Sequence, residues 1–150
     1  MNIKSLLTPS RVLCRIEAGS KRQALEILAN IITKDIPTLN AENIFRRFMA
    51  REKLGSTGIG YGIAIPHSSI EECSDAIGAL ITLTEPVDFD AIDSQPVDIL
   101  FAMLVPEAAR AEHLQNLAAL ANAMNNEQFR QHLRDADNDA ILYQAATEKI

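Results

Sequence analysis

Apolar positions along the chain alternate between strand-like and helix-like spacing, and the changes of period mark out its elements. In "RVLCRI", Val12, Cys14 and Ile16 fall on one side of an extended strand that ends before Gly19. Ser20, with Gln23 three residues on, forms a capping box and opens a helix carrying Leu25, Leu28, Ala29 and Ile32 at helical spacing. Pro37 ends it. Asn40 caps a second predicted helix, with Ile44, Phe45, Phe48 and Met49 as its apolar stripe, which runs to about Lys53 and stops at Gly55. "AIGALITLTEP" and "VDILFAMLVP" are apolar runs closed by proline and read as strands buried on both faces, with a short "VDFDAI" between them.

The last third is helical in pattern. "AEHLQNLAALANAM" places Leu114, Leu117, Ala118, Ala121 and Met124 on one face, and "NEQFRQHLRDA" and "NDAILYQAATEK" follow it. No internal repeat, low-complexity tract or linker interrupts the chain. Helices before and after a block of strands predict an α/β fold, a sheet between two helical layers. Its 150 residues suffice for one good core and not for two, so residues 1–150 are expected to form a single domain.

Composition narrows the functional classes. A hydrophobic share of 47% and a charged share of 23% fit a soluble globular protein, and no apolar run reaches the roughly 18 residues of a membrane span. The N-terminal stretch lacks the apolar core and cleavage site of a signal peptide, so a cytoplasmic protein without membrane insertion is expected. Cys14 and Cys73 are then expected as free thiols. A net charge of −6 argues against a nucleic-acid partner and leaves a weak preference for basic protein surfaces.

Few residues carry candidate chemistry. "GSTGIGYG", Gly55 to Gly62, does not fit a Walker loop, because Tyr61 and Gly62 stand where Lys and Ser or Thr belong. Nor does it open a helix, as a dinucleotide fingerprint must. His67 follows Pro66, which favours extended backbone at Ile65 and puts the imidazole just past a strand end. A neutral imidazole is a competent nucleophile near neutral pH. Taken alone, His67 is more often an ordinary turn histidine.

His113 opens the helix after "VDILFAMLVP", where the helix dipole favours a neutral ring able to donate to an anion, or where it is a surface histidine. His132, between Arg130 and Arg134, reads as part of a solvated helix face. A zinc site from His67, His113 and Cys73 lacks a close ligand pair. Cys73 in "EECSD" has acidic neighbours unsuited to a nucleophilic thiol, and Asp88, Asp90, Asp93 and Asp98 form no favoured carboxylate pair.

"REKLGSTGIGYGIAIPH", Arg51 through His67, closely resembles the phosphorylation-site segment of the enzyme IIA proteins of the bacterial phosphotransferase system, in the mannitol/fructose class and especially its nitrogen-regulatory branch. The resemblance continues through "FDAIDSQPVDILFAMLVP" and "EHLQNLAALA" and takes in nearly the whole chain. It implies one EIIA type-2 domain with a mixed sheet between helices. It also implies that His67 accepts a phosphoryl group at Nε2 from the phosphohistidine of a small HPr-like carrier, with His113 beside it assisting and Arg51 nearby.

Such transfer needs in-line positioning and donors around the phosphoryl oxygens. Backbone N–H groups after His67, the hydroxyls of Ser56, Thr57 and Ser68, and neutral His113 are candidates for those donors, and no metal or other cofactor is required. The chain departs from the family at Ser68 and Ser69, where Gly followed by Lys or Thr is usual, which puts the backbone geometry after His67 in question.

With no permease segment and no second carrier domain, the expected role is a stand-alone regulatory phosphocarrier, of transferase type with a phosphohistidine intermediate. Its phosphorylation state would govern regulatory target proteins in nitrogen-, potassium- or carbon-linked control. The alternatives are a sugar-specific IIA component that passes phosphate to a IIB cysteine in fructose or mannitol uptake, and an interaction module that is never phosphorylated.

Overall fold

The computed structural model describes residues 3–148. Eleven elements follow one another: β1 (Val12–Ile16), α1 (Lys21–Asp35), α2 (Ala41–Lys53), β2 (Gly58–Gly60), β3 (Ile63–Ala64), β4 (His67–Ile70), β5 (Ile77–Val87), β6 (Val97–Pro106), α3 (Leu114–Met124), α4 (Glu127–Asp135) and α5 (Asp139–Glu148). Short 3₁₀ turns precede β1 and bridge β6 to α3. Local chemistry sets the helix starts. Ser20 Oγ accepts from Gln23 N, Asn40 Oδ1 from Asn43 N and Asn126 Oδ1 from Phe129 N, each satisfying an amide that has no partner within its helix.

The six strands form one mixed sheet in the order β1-β5-β6-β3-β2, with β4 also paired to β6. β1 runs parallel to β5, β5 antiparallel to β6, and β3 and β4 both parallel to β6. The mixed sheet expected from the resemblance is the one observed. β3 and β4 are two halves of one strand: Ile63 lies opposite Ile99 and His67 opposite Met103, so the register is unchanged across the break at Ile65 and Pro66. Pro66 has no N–H to give the ladder, but its carbonyl accepts from Met103 N at 2.8 Å, which keeps the pairing in step.

The apolar run of β6 is explained by burial on both faces. Leu100, Ala102 and Leu104 pack with Leu25, Leu28 and Ile32 of α1 and with Ile44 and Phe48 of α2. Ile99, Phe101, Met103 and Val105 pack with Leu120 and Met124 of α3, Phe129 and Leu133 of α4, and Leu142 of α5. Alternating strand residues therefore feed two separate cores, one under each helical layer.

Three sequence expectations shift in detail. His67, expected just past a strand end, instead opens β4 and lies opposite Met103, because the pairing with β6 resumes directly after Pro66. β5 extends to Val87, so "VDFDAI" forms the end of a strand and a loop. The buried face of α3 is Asn116, Leu120 and Met124, whereas Ala118 is exposed and Leu114 is 60% exposed. The stripe expected through Leu114 and Ala118 is rotated because Leu114 and Leu117 face a cavity beside the sheet.

Candidate functional site

β4 is paired on one side only, and along its free side a cavity of about 400 Å³ opens between α2 and the start of α3. His67, Ser68 and Ser69 of β4 form its floor with Met103 and Val105 of β6. Arg47 and Arg51 line it from α2, and Arg110, His113, Leu114 and Leu117 from the other wall. Arg47 and Arg51 are four residues apart on one helix and so share a face. His113 ends the 3₁₀ turn that leads directly into α3. His67 and His113, 46 positions apart by subtraction of their numbers, meet in this cavity because β4 and β6 are neighbours and α3 follows β6.

The hydrogen bonds of His67 fix its chemistry. Nδ1 lies 2.8 Å from the carbonyl oxygen of Ile65. A carbonyl only accepts, so Nδ1 carries the proton and the lone pair of the neutral ring is on Nε2. Arg51 Nε donates to that Nε2 at 3.3 Å, and Arg51 Nη1 donates to Gly55 O at 2.7 Å. Burial pushes the imidazole pKa below its ordinary 6.5; the Ile65 carbonyl opposes the shift and the Arg51 charge adds to it. Near pH 7 the neutral form of the ring is therefore favoured, with the Nε2 lone pair toward Arg51.

The charge of the cavity is unlike that of the whole chain. Among the described residues three arginines line it and no carboxylate does, although the chain has a net charge of −6. Such a lining suits an anion. Two leucines flank the opening: Leu54, 84% exposed at the end of α2, and Leu114.

Not every expected site residue reaches this cavity. Ser68 lines it, with its hydroxyl donating to Ser69 O at 3.3 Å. Ser56 and Thr57 are not among the lining residues. Ser56 Oγ donates to Phe89 O at 2.7 Å and accepts from Gly58 N, while the buried Thr57 donates through both N and Oγ1 to Glu52. Glu52 is itself buried and pairs with Lys21 Nζ at 2.8 Å. This knot holds the loop from which Thr57 O accepts Ile65 N, so both residues support the strand behind His67.

The glycine-rich turn is also structural. Gly60, Tyr61 and Gly62 all have positive φ, and Tyr61 is fastened by Asp93 at its N–H and by Arg134 at its carbonyl. A Cβ on Gly62 would stand 2.5 Å from Arg134 Nη2. Asp98 pairs with Arg134, Asp88 accepts from Asp90 N, and His132 is exposed on α4. Cys73 does not line the cavity, so the His67, His113 and Cys73 set is not assembled.

Arg47, Arg110 and Asn116 were not singled out in the sequence, although their spacing was a signal. Arg47 is one turn before Arg51, and Arg110 and Asn116 lie three residues either side of His113. Asn116 Nδ2 is 2.9 Å from His113 Nδ1.

Residues 5–149 match the family described as "Phosphoenolpyruvate-dependent sugar phosphotransferase system, EIIA 2". The chain belongs to this EIIA type-2 family. Within it, a nitrogen regulatory protein of Pseudomonas aeruginosa is 45% identical over 148 residues, covering 99% of this chain and 96% of that protein. The crystal structure of the nitrogen regulatory protein IIA-Ntr from Neisseria meningitidis superposes with a TM-score of 0.89 at 36% identity, covering 97% of this chain and 99% of that one. IIA mannitol from Escherichia coli shares the fold, with a TM-score of 0.77 at 19% identity over 94% and 99% of the two chains. The EIIA type-2 fold thus holds the Pro-His pair of this chain at the edge of its sheet. Among the described residues no helix is long and apolar enough to cross a membrane.

Proposed function

We propose that this chain is a phosphocarrier in which Nε2 of His67 takes a phosphoryl group from the phosphohistidine of a small HPr-like carrier. In that step the Nε2 lone pair forms the new N–P bond as the donor's N–P bond breaks, and the released electron pair stays on the donor imidazole. The observation that carries the reading is the 2.8 Å contact between His67 Nδ1 and Ile65 O, which leaves Nε2 unprotonated and facing three arginines and a second histidine. Little covalent help is needed for such a transfer. The cavity supplies position and charge: Arg51 is close enough to turn from Nε2 to the phosphoryl oxygens, His113 and Arg110 approach from the opposite wall, and Ser68 adds a hydroxyl.

The role that follows is regulatory. A phosphoryl group brings between one and two negative charges to a rim bounded by Leu54 and Leu114, which changes the proteins able to dock there. Similarity to nitrogen regulatory proteins over nearly the full length favours this reading over a sugar-specific relay. In this role the protein acts in the cytoplasm, where Cys14 and Cys73 stay reduced.

The test is mass spectrometry after incubation with phosphoenolpyruvate, enzyme I and the HPr-like carrier. Acid-labile phosphate on His67 and its loss in His67→Ala are expected, with the variant keeping the wild-type circular dichroism. Label retained in His67→Ala, or an unlabelled wild type, overturns the assignment. Rapid onward transfer to a IIB cysteine would move the protein to the sugar-transporting class.

A further inference from the structure

Asn116 is a buried amide on the core face of α3, in line with Leu120 and Met124, where an apolar side chain would pack without needing a hydrogen-bond partner. Its polarity has a direction. The amide nitrogen Nδ2 lies 2.9 Å from His113 Nδ1, and an amide –NH₂ only donates. His113 Nδ1 is therefore the acceptor, and the proton of the neutral ring is on Nε2. His67 is arranged the other way round, with Nδ1–H given to Ile65 O and Nε2 left bare.

We propose that Asn116 is a positioning residue for phosphoryl transfer, holding His113 as the Nε2–H tautomer so that the two imidazoles lining this cavity present opposite groups, a lone pair from His67 and an N–H from His113. A phosphoryl group bonded to the first ring has oxygens to receive the second, and two bare nitrogens would repel it. The inference rests on the phosphocarrier reading given above. It assigns the burial of a polar residue in α3 to the orientation of a ring about one turn away.

Asn116→Asp separates this role from packing. The substitution nearly preserves shape but puts an acceptor on His113 Nδ1, which draws the proton there and bares Nε2. Lowering the pH protonates the ring and restores the Nε2–H. The other charged and titratable groups of the cavity are Arg47 and Arg51 from α2, Arg110 from the preceding turn and His67 from β4; Glu112 adjoins His113 in its own turn.

Relative to wild type at the same pH, transfer from the phosphorylated carrier in Asn116→Asp is expected to fall about tenfold to a hundredfold near pH 8 and to recover most of that loss as the pH is lowered toward 6. His113→Gln supplies an N–H donor that owes nothing to Asn116, and adding Asn116→Asp to it should change the rate little at either pH. The ring-nitrogen ¹⁵N shifts of wild-type His113 should report Nε2–H. A Nδ1–H signature there, a wild-type pH profile in Asn116→Asp, or an equal loss in the His113→Gln background overturns the proposal. The tautomer is read without phosphorylation, so an unlabelled wild type would remove the phosphocarrier reading while the ring assignment is still measured. If Asn116→Asp fails to fold, the wild-type spectrum alone decides the tautomer.

Discussion

Arg51 holds His67 and the loop in front of it with one guanidinium: Nε donates to His67 Nε2 at 3.3 Å and Nη1 to Gly55 O at 2.7 Å. The longer bond is the weaker, and in the proposed transfer it is the one the phosphoryl group would displace. Under the proposed transfer Arg51 would meet the phosphoryl oxygens, and its charge already discourages a proton on Nε2.

Replacing Arg51 with Ala removes a cation from the transition state and leaves the fold intact, because the side chain lies at the cavity. Phosphoryl transfer should slow by about a hundredfold, with a site-specific label still forming on His67 at long times. Stopped-flow or quench measurement of the transfer rate checks this; a loss below about threefold would show that Arg47 and Arg110 suffice.

The lowered pKa of His67 sets a pH dependence with a definite sign. The unfolded histidine takes up a proton near pH 6.5, and the folded one only at lower pH. Stability from this residue is therefore constant above about pH 6.5 and declines as the pH drops from there through the folded pKa. Transfer depends on the folded ring alone, so it should keep its rate through about pH 6.5 and fall only as the pH passes through the lower folded pKa. NMR titration of the ring together with urea unfolding at several pH values reads both, and a His67 midpoint above 6.5 contradicts the burial argument.

Ser68 sits in a paired strand opposite Leu104 and is not among the residues with positive φ, so no glycine is required after the Pro-His pair. Ser68→Gly should lower stability by about 0.5–1 kcal/mol and change transfer by no more than a few-fold. Denaturant unfolding and the transfer assay test this jointly; a stabilised and much faster variant would mean that serine strains the site.

Glu52 is buried between Lys21 and Thr57. Glu52→Ala leaves the Lys21 ammonium without its counter-charge, and a loss of about 3 kcal/mol or more is expected in urea unfolding. Because Thr57 O holds Ile65 N, transfer to His67 should weaken as well. A stability change under about 1 kcal/mol would place the knot outside the cooperative core.

Local signals in the sequence reach far into this fold. Capping side chains at Ser20 and Asn40 and the breaker at Pro37 bound α1 and α2 correctly, because the energetics of a helix end lie within a few residues. The unbroken apolar run of β6 announced a strand covered on both faces. The stripe of α3 was misplaced because Leu114 and Leu117 face a cavity, and periodicity does not distinguish a core from a binding surface.

The sequence alone determined the helices, the long strands β1, β5 and β6, the α/β layering, the family and the singular position of His67 after Pro66, since each depends on neighbouring residues or on a continuous motif; β2 and β4 are too short to show a period and form only by pairing in the sheet. Tertiary structure decided which residues share the cavity. Arg47, Arg110 and His113 come to His67 only because β4 pairs with β6 and α2 and α3 close on the cavity, and Asn116 reaches it only through His113, while Ser56 and Thr57, nearer in sequence, turn away to brace the loop. The state of each ring was decided the same way. A histidine's proton sits where its partner permits, and those partners, a carbonyl for His67 and an amide for His113, are set by the folded backbone.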